Sequence, residues 1–172
     1  MTGDAVFDPV RIIEVLTRHR VEFVLVGGYA ALLYGARRPT YDVDITPSTV
    51  MENLQRLSDA LRALKAGIRV DDLDDGLPFD SSAESLRGVQ MLNLRSPIGD
   101  LDITFSPAGF PDGYAALRPA AHPYTVGAVT IHVADLADVI TSKETAGRPK
   151  DLDALPELID LARRRENRNK GR

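Results

Sequence analysis

The sequence predicts an α/β fold, a mixed twisted sheet with helices packed against it. Three observations carry this. Short β-branched apolar runs such as Val21–Val26 and Tyr41–Thr46 alternate with amphipathic helical patterns such as Thr49–Leu64. Apolar residues make up 44% of the 172 residues and charged residues 27%, which is the balance of a chain with a packed core and a solvated surface. The length fits one domain, read as a core over residues 1–134 and a helical segment with a basic tail over 135–172 that belongs to the same domain.

The first helix is expected over Pro9–His19, with apolar residues at Val10, Ile12, Ile13, Val15 and Leu16, Asp8 as N-cap and Pro9 in the first turn. A core strand, Val21–Val26, stops at the pair Gly27-Gly28. A short helix follows over about Tyr29–Tyr34, closed by Gly35, and a second strand spans Tyr41–Thr46. Thr49–Leu64 repeats apolar residues at helical spacing and ends near Gly67.

Asp71–Ser85, with four aspartates in five positions, reads as an irregular surface excursion without a metal role. Val89–Leu94 and Leu101–Phe105 read as a hairpin through Ser96–Asp100. Pro107–Pro119 reads as a loop with one helical turn near Tyr114–Leu117. Tyr124–Val126 and Val129–Val133 form a second hairpin across Gly127-Ala128. The last third is helical, Asp135–Thr145 and then Asp151 to about Arg164, with a break at Gly147–Pro149 and Asp151 as N-cap of the final helix.

Chemistry concentrates on the second strand. Residues two apart in a strand share a face, so Asp42 and Asp44 project side by side while Val43 and Ile45 enter the core. Paired carboxylates repel unless a cation sits between them, and hard oxygen ligands suit magnesium. An isolated Asp-x-Asp is more often an ordinary strand end. The glycine pair just upstream changes that weighting, because a backbone without Cβ atoms can approach a phosphate at a helix N-terminus.

Together, Gly27-Gly28, the stretch Arg38-Pro39-Thr40-Tyr41-Asp42-Val43-Asp44, and Lys143 followed by Arg148-Pro149-Lys150-Asp151 resemble the polymerase-β-like nucleotidyltransferase superfamily. Within it, they are most similar to the AbiEii/MenT-like toxin nucleotidyltransferases. The resemblance spans residues from about 12 to 165.

It implies a magnesium-dependent enzyme, with manganese as an alternative, that transfers a nucleoside monophosphate from a nucleoside triphosphate such as ATP. It implies the 3′ end of tRNA as acceptor, and a toxin role opposed by a partner antitoxin. Asp42, Asp44 and a third strand carboxylate, Asp102, would hold the metal and activate the acceptor, with Asp100 on the same face as the competing candidate. Gly27, Gly28, Tyr29, Arg38, Lys143, Arg148 and Lys150 would bind the nucleotide and its phosphates.

The usual superfamily serine after the first glycine is replaced by Gly28, so backbone N–H groups would have to serve there. A small-molecule acceptor such as an aminoglycoside, a protein hydroxyl, and a noncatalytic nucleotide- or partner-binding module are the competing readings.

Absent cysteines exclude disulfides and thiolate metal sites and fit a cytoplasmic chain. Asp4 and Asp8 near the start argue against a signal peptide, and no apolar run reaches the ~20 residues of a spanning helix. The net charge of −4 conceals an asymmetry. From Arg163 onward there are six Lys/Arg against one Glu, a net of +5 that leaves the rest at −9. That tail is either a frayed helix end or an electrostatic arm for RNA.

Overall fold

A computed structural model describes residues 6–172; the reading that rests on Asp4 lies outside them. Helix α1 (Pro9–Arg18) starts as its sequence dictates, with Pro9 in the first turn and the Asp8 carboxylate accepting from the Arg11 N–H at 3.0 Å. Its Ile12, Ile13 and Leu16 are fully buried. Strand β1 (Phe23–Val26) leads into helix α2 (Gly27–Leu33), then strand β2 (Asp42–Pro47) and helix α3 (Met51–Ala63). Helix α2 begins at the glycine pair itself rather than at Tyr29.

Residues 67–86 correct the sequence reading. They are not an irregular excursion but strands β3 (Gly67–Val70) and β4 (Leu73–Leu77) and a helical turn α4 (Ala83–Leu86). Asp71 and Asp72 form the turn between the two strands. Strand β4 is an edge whose Asp74 and Asp75 are exposed, and charged side chains on an edge discourage pairing with another chain.

Strands β5 (Met91–Ser96) and β6 (Gly99–Thr104) make the expected hairpin. Helical turn α5 (Tyr114–Leu117) and one 3-10 turn (Arg118–Ala120) precede the second hairpin, β7 (His122–Val126) and β8 (Val129–Val133). Helix α6 (Leu136–Ala146) is capped by Asp135, whose carboxylate accepts from the Ala137 N–H at 2.9 Å.

The final helix, α7, departs from expectation at both ends. It runs Pro149–Lys170, with Arg148 as N-cap, so Asp151 lies inside the first turn and does not cap it. The basic tail is helical well past Arg164, up to Lys170.

Among the described residues the strands form one eight-stranded sheet in the order β4-β3-β5-β6-β2-β1-β8-β7. Only β2/β6 and β1/β8 are parallel; the other pairs are antiparallel. Val43 and Ile45 of β2 alternate with the aspartates and lie beside Leu101 and Ile103 of β6; all four are at most 1% exposed. Those apolar residues belong to a core that includes the buried faces of α1 and α3. The pleat therefore sends Asp42, Asp44, Asp100 and Asp102 to the opposite face.

Asn53 ties the far end of β2 to the rest. Fully buried on α3, it accepts from the Glu22 N–H (2.7 Å) and donates to the carbonyls of Glu22 (2.9 Å) and Ser48 (2.8 Å). Asn53→Ala leaves those groups buried and unpaired and should cost about 3 kcal/mol. Urea unfolding checks this; a loss below about 1 kcal/mol would mean that water replaces the amide.

Candidate active site

The parallel β2/β6 register pairs Asp42 with Asp100 and Asp44 with Asp102. One carboxylate oxygen from each of Asp42, Asp44 and Asp102 lies within 4.8 Å of the others. Asp100, the competing candidate, is turned to arginines instead. Its Oδ2 accepts from Arg69 Nη1 at 3.1 Å and its Oδ1 from Arg95 Nε at 3.2 Å.

Three carboxylates so close, with little water, cannot all ionise freely. Burial raises the Asp44 pKa to about 7, with the charges of Asp42 and Asp102 adding to the effect and Lys143 and Lys150 opposing it. Asp102 is pushed up to about 6, chiefly by burial, while Arg69 pulls it down and Asp42 raises it. Asp102 Oδ1 is buried and accepts no hydrogen bond. An all-oxygen donor set with excess negative charge, in which Asp102 Oδ1 accepts no hydrogen bond although Arg69 Nη2 lies 2.9 Å away, fits a hard divalent cation.

The glycine pair packs against this cluster. Gly27 has φ +69, and a Cβ there would lie 2.4 Å from Asp44 Oδ2; a Cβ on Gly28 would lie 2.8 Å from Thr40 Oγ1. Thr40 in turn donates to Asp42 Oδ1 at 3.1 Å, tightening the turn into the strand. The absence of side chains at residues 27 and 28 is what lets α2 sit against β2. Tyr29 is half-buried against the apolar core, where burial and the nearby Asp8 raise its pKa.

The cations expected from the sequence gather on one flank. Asp151, only 2% exposed, accepts from Arg148 Nε at 2.6 Å and lies 3.7 Å from Lys143 Nζ. Burial alone would raise its pKa, but the Arg148 hydrogen bond and the charges of Arg148, Lys143 and Lys150 outweigh burial and hold it below the usual range. Arg38 joins the same flank by donating Nη1–H to the Lys150 carbonyl at 3.0 Å. The residue the sequence reading missed is Arg69. It sits on β3, a strand of four residues without a recognisable pattern, so nothing in the sequence distinguished it from a surface arginine.

The raised carboxylates fix a pH dependence. Between the unfolded value of 3.8 and the folded values of about 6 and 7, the native protein binds more protons than the unfolded chain. Stability from these groups therefore falls as pH rises through that window. In EDTA, Asp44→Asn should melt higher than the parent at about pH 8, and the two should converge near pH 4. Thermal melts across that range test it; parallel curves would show that Asp44 carries no such penalty.

No family model matches the sequence, and no curated protein matches it closely. Solved structures do match. The lincosamide antibiotic adenylyltransferase LnuA, in its lincomycin-bound crystal structure, superposes with a TM-score of 0.62 at 15% identity, covering 92% of this chain and 99% of that one. The antibiotic-resistance factor ANT(2'')-Ia gives 0.53 at 13%, over 94% and 93%. A Thermotoga maritima protein assigned as a nucleotidyltransferase gives 0.52 at 13%, over 87% and 89%. The chain therefore has a nucleotidyltransferase fold.

Proposed function

We propose that this protein is a divalent-cation-dependent nucleotidyltransferase that moves a nucleoside monophosphate from a nucleoside triphosphate to an acceptor hydroxyl. The observation that carries the reading is the convergence of Asp42, Asp44 and Asp102 within 4.8 Å on a sheet face flanked by Lys143, Arg148 and Lys150.

The acceptor oxygen attacks the α-phosphorus, a new P–O bond forms, and the bond to the bridging oxygen breaks to release pyrophosphate. Asp42, Asp44 and Asp102 would hold magnesium or manganese, which supplies charge neutralisation for the leaving pyrophosphate and acidifies the acceptor hydroxyl. By the motif resemblance, Asp102 would favour loss of the acceptor hydroxyl's proton. Lys143, Arg148, Lys150 and Arg38 hold the triphosphate, and Gly27 and Gly28 offer it backbone rather than side chains. Tyr29, half-buried beside the glycine pair, would face the nucleotide by the motif resemblance.

For the acceptor, the motif resemblance favours the tRNA 3′ end, and with it a toxin role opposed by an antitoxin. The exposed cations Arg163, Arg168 and Lys170 at the end of α7 support an RNA partner. A second reading, a small-molecule acceptor, is favoured by the fold shared with LnuA and ANT(2'')-Ia.

The experiment offers magnesium and each labelled nucleoside triphosphate in turn with total tRNA, lincomycin or an aminoglycoside, beside Asp42→Ala/Asp44→Ala. Label on tRNA only with the intact protein is the expected result, and the double variant should lose at least about 10³-fold in rate. Label on an antibiotic instead would establish the second reading. Magnesium and nucleotide binding without transfer to any acceptor would point to a noncatalytic module.

A further inference from the structure

Arg69 lies beside the triad in a geometry that goes further than charge. Its Nη1 donates to Asp100 Oδ2 at 3.1 Å, and its Nη2 lies 3.2 Å from Asp102 Oδ2 and 2.9 Å from Oδ1. The Nη2 N–H is directed at Oδ2, which leaves Oδ1 buried and without a hydrogen bond. Asp100 is fixed from its other side by Arg95, whose Nη1 also reaches the Val70 and Leu73 carbonyls at 3.5 and 3.3 Å. The β3–β4 ladder changes register across Arg69, between Ile68 and Val70, an irregularity of the kind that re-aims a side chain.

We propose that Arg69 is a positioning residue for Asp102: its forked guanidinium binds Asp100 and Asp102 Oδ2 together and thereby presents Asp102 Oδ1 to the cation held with Asp42 and Asp44. The inference rests on the nucleotidyltransferase reading only in requiring a cation at the triad. Oδ1 lies in ion-pair contact with Arg69 Nη2 at 2.9 Å but accepts no aligned N–H, so a cation at the triad can share it without displacing a hydrogen bond. Two parallel donors at fixed separation are what a guanidinium supplies and an ammonium cannot. Arg69→Lys therefore keeps the charge and removes the fork.

The test is Mn2+ binding, followed by the resonance of free Mn2+ in titrations of the full chain, with a thermal melt on every variant. Arg69→Lys should weaken binding about 10-fold, as loss of a partner that orients a ligand does. Asp102→Ala should weaken it at least as much, and Arg69→Lys/Asp102→Ala should be no weaker than Asp102→Ala alone, because the arginine acts through that aspartate. Arg95→Lys, which touches Asp100 but not Asp102, should bind as the parent does.

Parent-like binding by Arg69→Lys, additive losses in the double variant, or an equal loss in Arg95→Lys would each overturn the proposal. Should Arg69→Lys melt far below the parent, titrations run below the onset of its melt, where the variant is folded, carry the comparison. Asp42→Ala separates the two readings. If it abolishes Mn2+ binding while Arg69→Lys does not weaken it, the role of Arg69 alone falls. If the parent binds no Mn2+, the metal-dependent function falls and the Arg69 proposal with it.

Discussion

The parallel pairing of β2 with β6 is the constraint on which the rest depends. It sets Asp42 and Asp44 against Asp100 and Asp102 on one face while Val43, Ile45, Leu101 and Ile103 fill the core on the other. Because the side-chain period of a strand is two, a slip of one residue would bury carboxylates and expose the core, so the apolar face pins the acidic face in register. Four carboxylates brought together this way must be compensated. Arg69 and Arg95 answer Asp100 and Asp102, and Lys143 and Lys150 act on Asp44.

The cations have an organiser of their own. Gly147 and Pro149 break the chain between α6 and α7, so that Lys143 from one helix and Arg148 from the turn meet at the buried Asp151. A buried carboxylate without partners would be costly, whereas one shared between two cations stays ionised and fixes both. Asp151 is not one of the three clustered carboxylates. It holds the positive flank in place against them.

Much of this was legible in the sequence because it is local. The Asp-x-Asp alternation, the helix start at Gly-Gly, the Asp8 cap and the two later hairpins follow from spacing and turn chemistry, and the structure contains them. The choice between Asp102 and Asp100 was not local, since both share a face and both meet Arg69 from β3; what sets them apart is Arg95 from β5, which binds Asp100 alone, and the nearness of Asp102 to Asp42 and Asp44. Strand β4 was hidden because Leu73-Asp74-Asp75-Gly76-Leu77 has the composition of a loop; its pairing with β3 is a tertiary effect that overrides propensity. Arg69 was lost with that hairpin. Asp151 was misread as a cap because its type and position suited one, while its burial against Lys143 depends on how two helices pack.

The two flanks of the triad differ in sign, and this ties the identity of an acceptor to its direction of approach. On the α6–α7 side stand Lys143, Arg148 and Lys150, and the long α7 continues to the basic end at Arg168 and Lys170. On the other side the β3–β4 hairpin exposes Asp71, Asp72, Asp74 and Asp75, while the arginines beneath it, Arg69 and Arg95, are committed to Asp100 and Asp102. On the proposed reading, the exposed acids of the hairpin would repel a polynucleotide, whereas Lys143, Arg148 and Lys150 would attract it. A small cationic acceptor would meet the opposite field and could enter over the hairpin. On the proposed nucleotidyltransferase reading, this charge pattern would act oppositely on a polynucleotide and on a cationic acceptor before either met Asp42, Asp44 and Asp102.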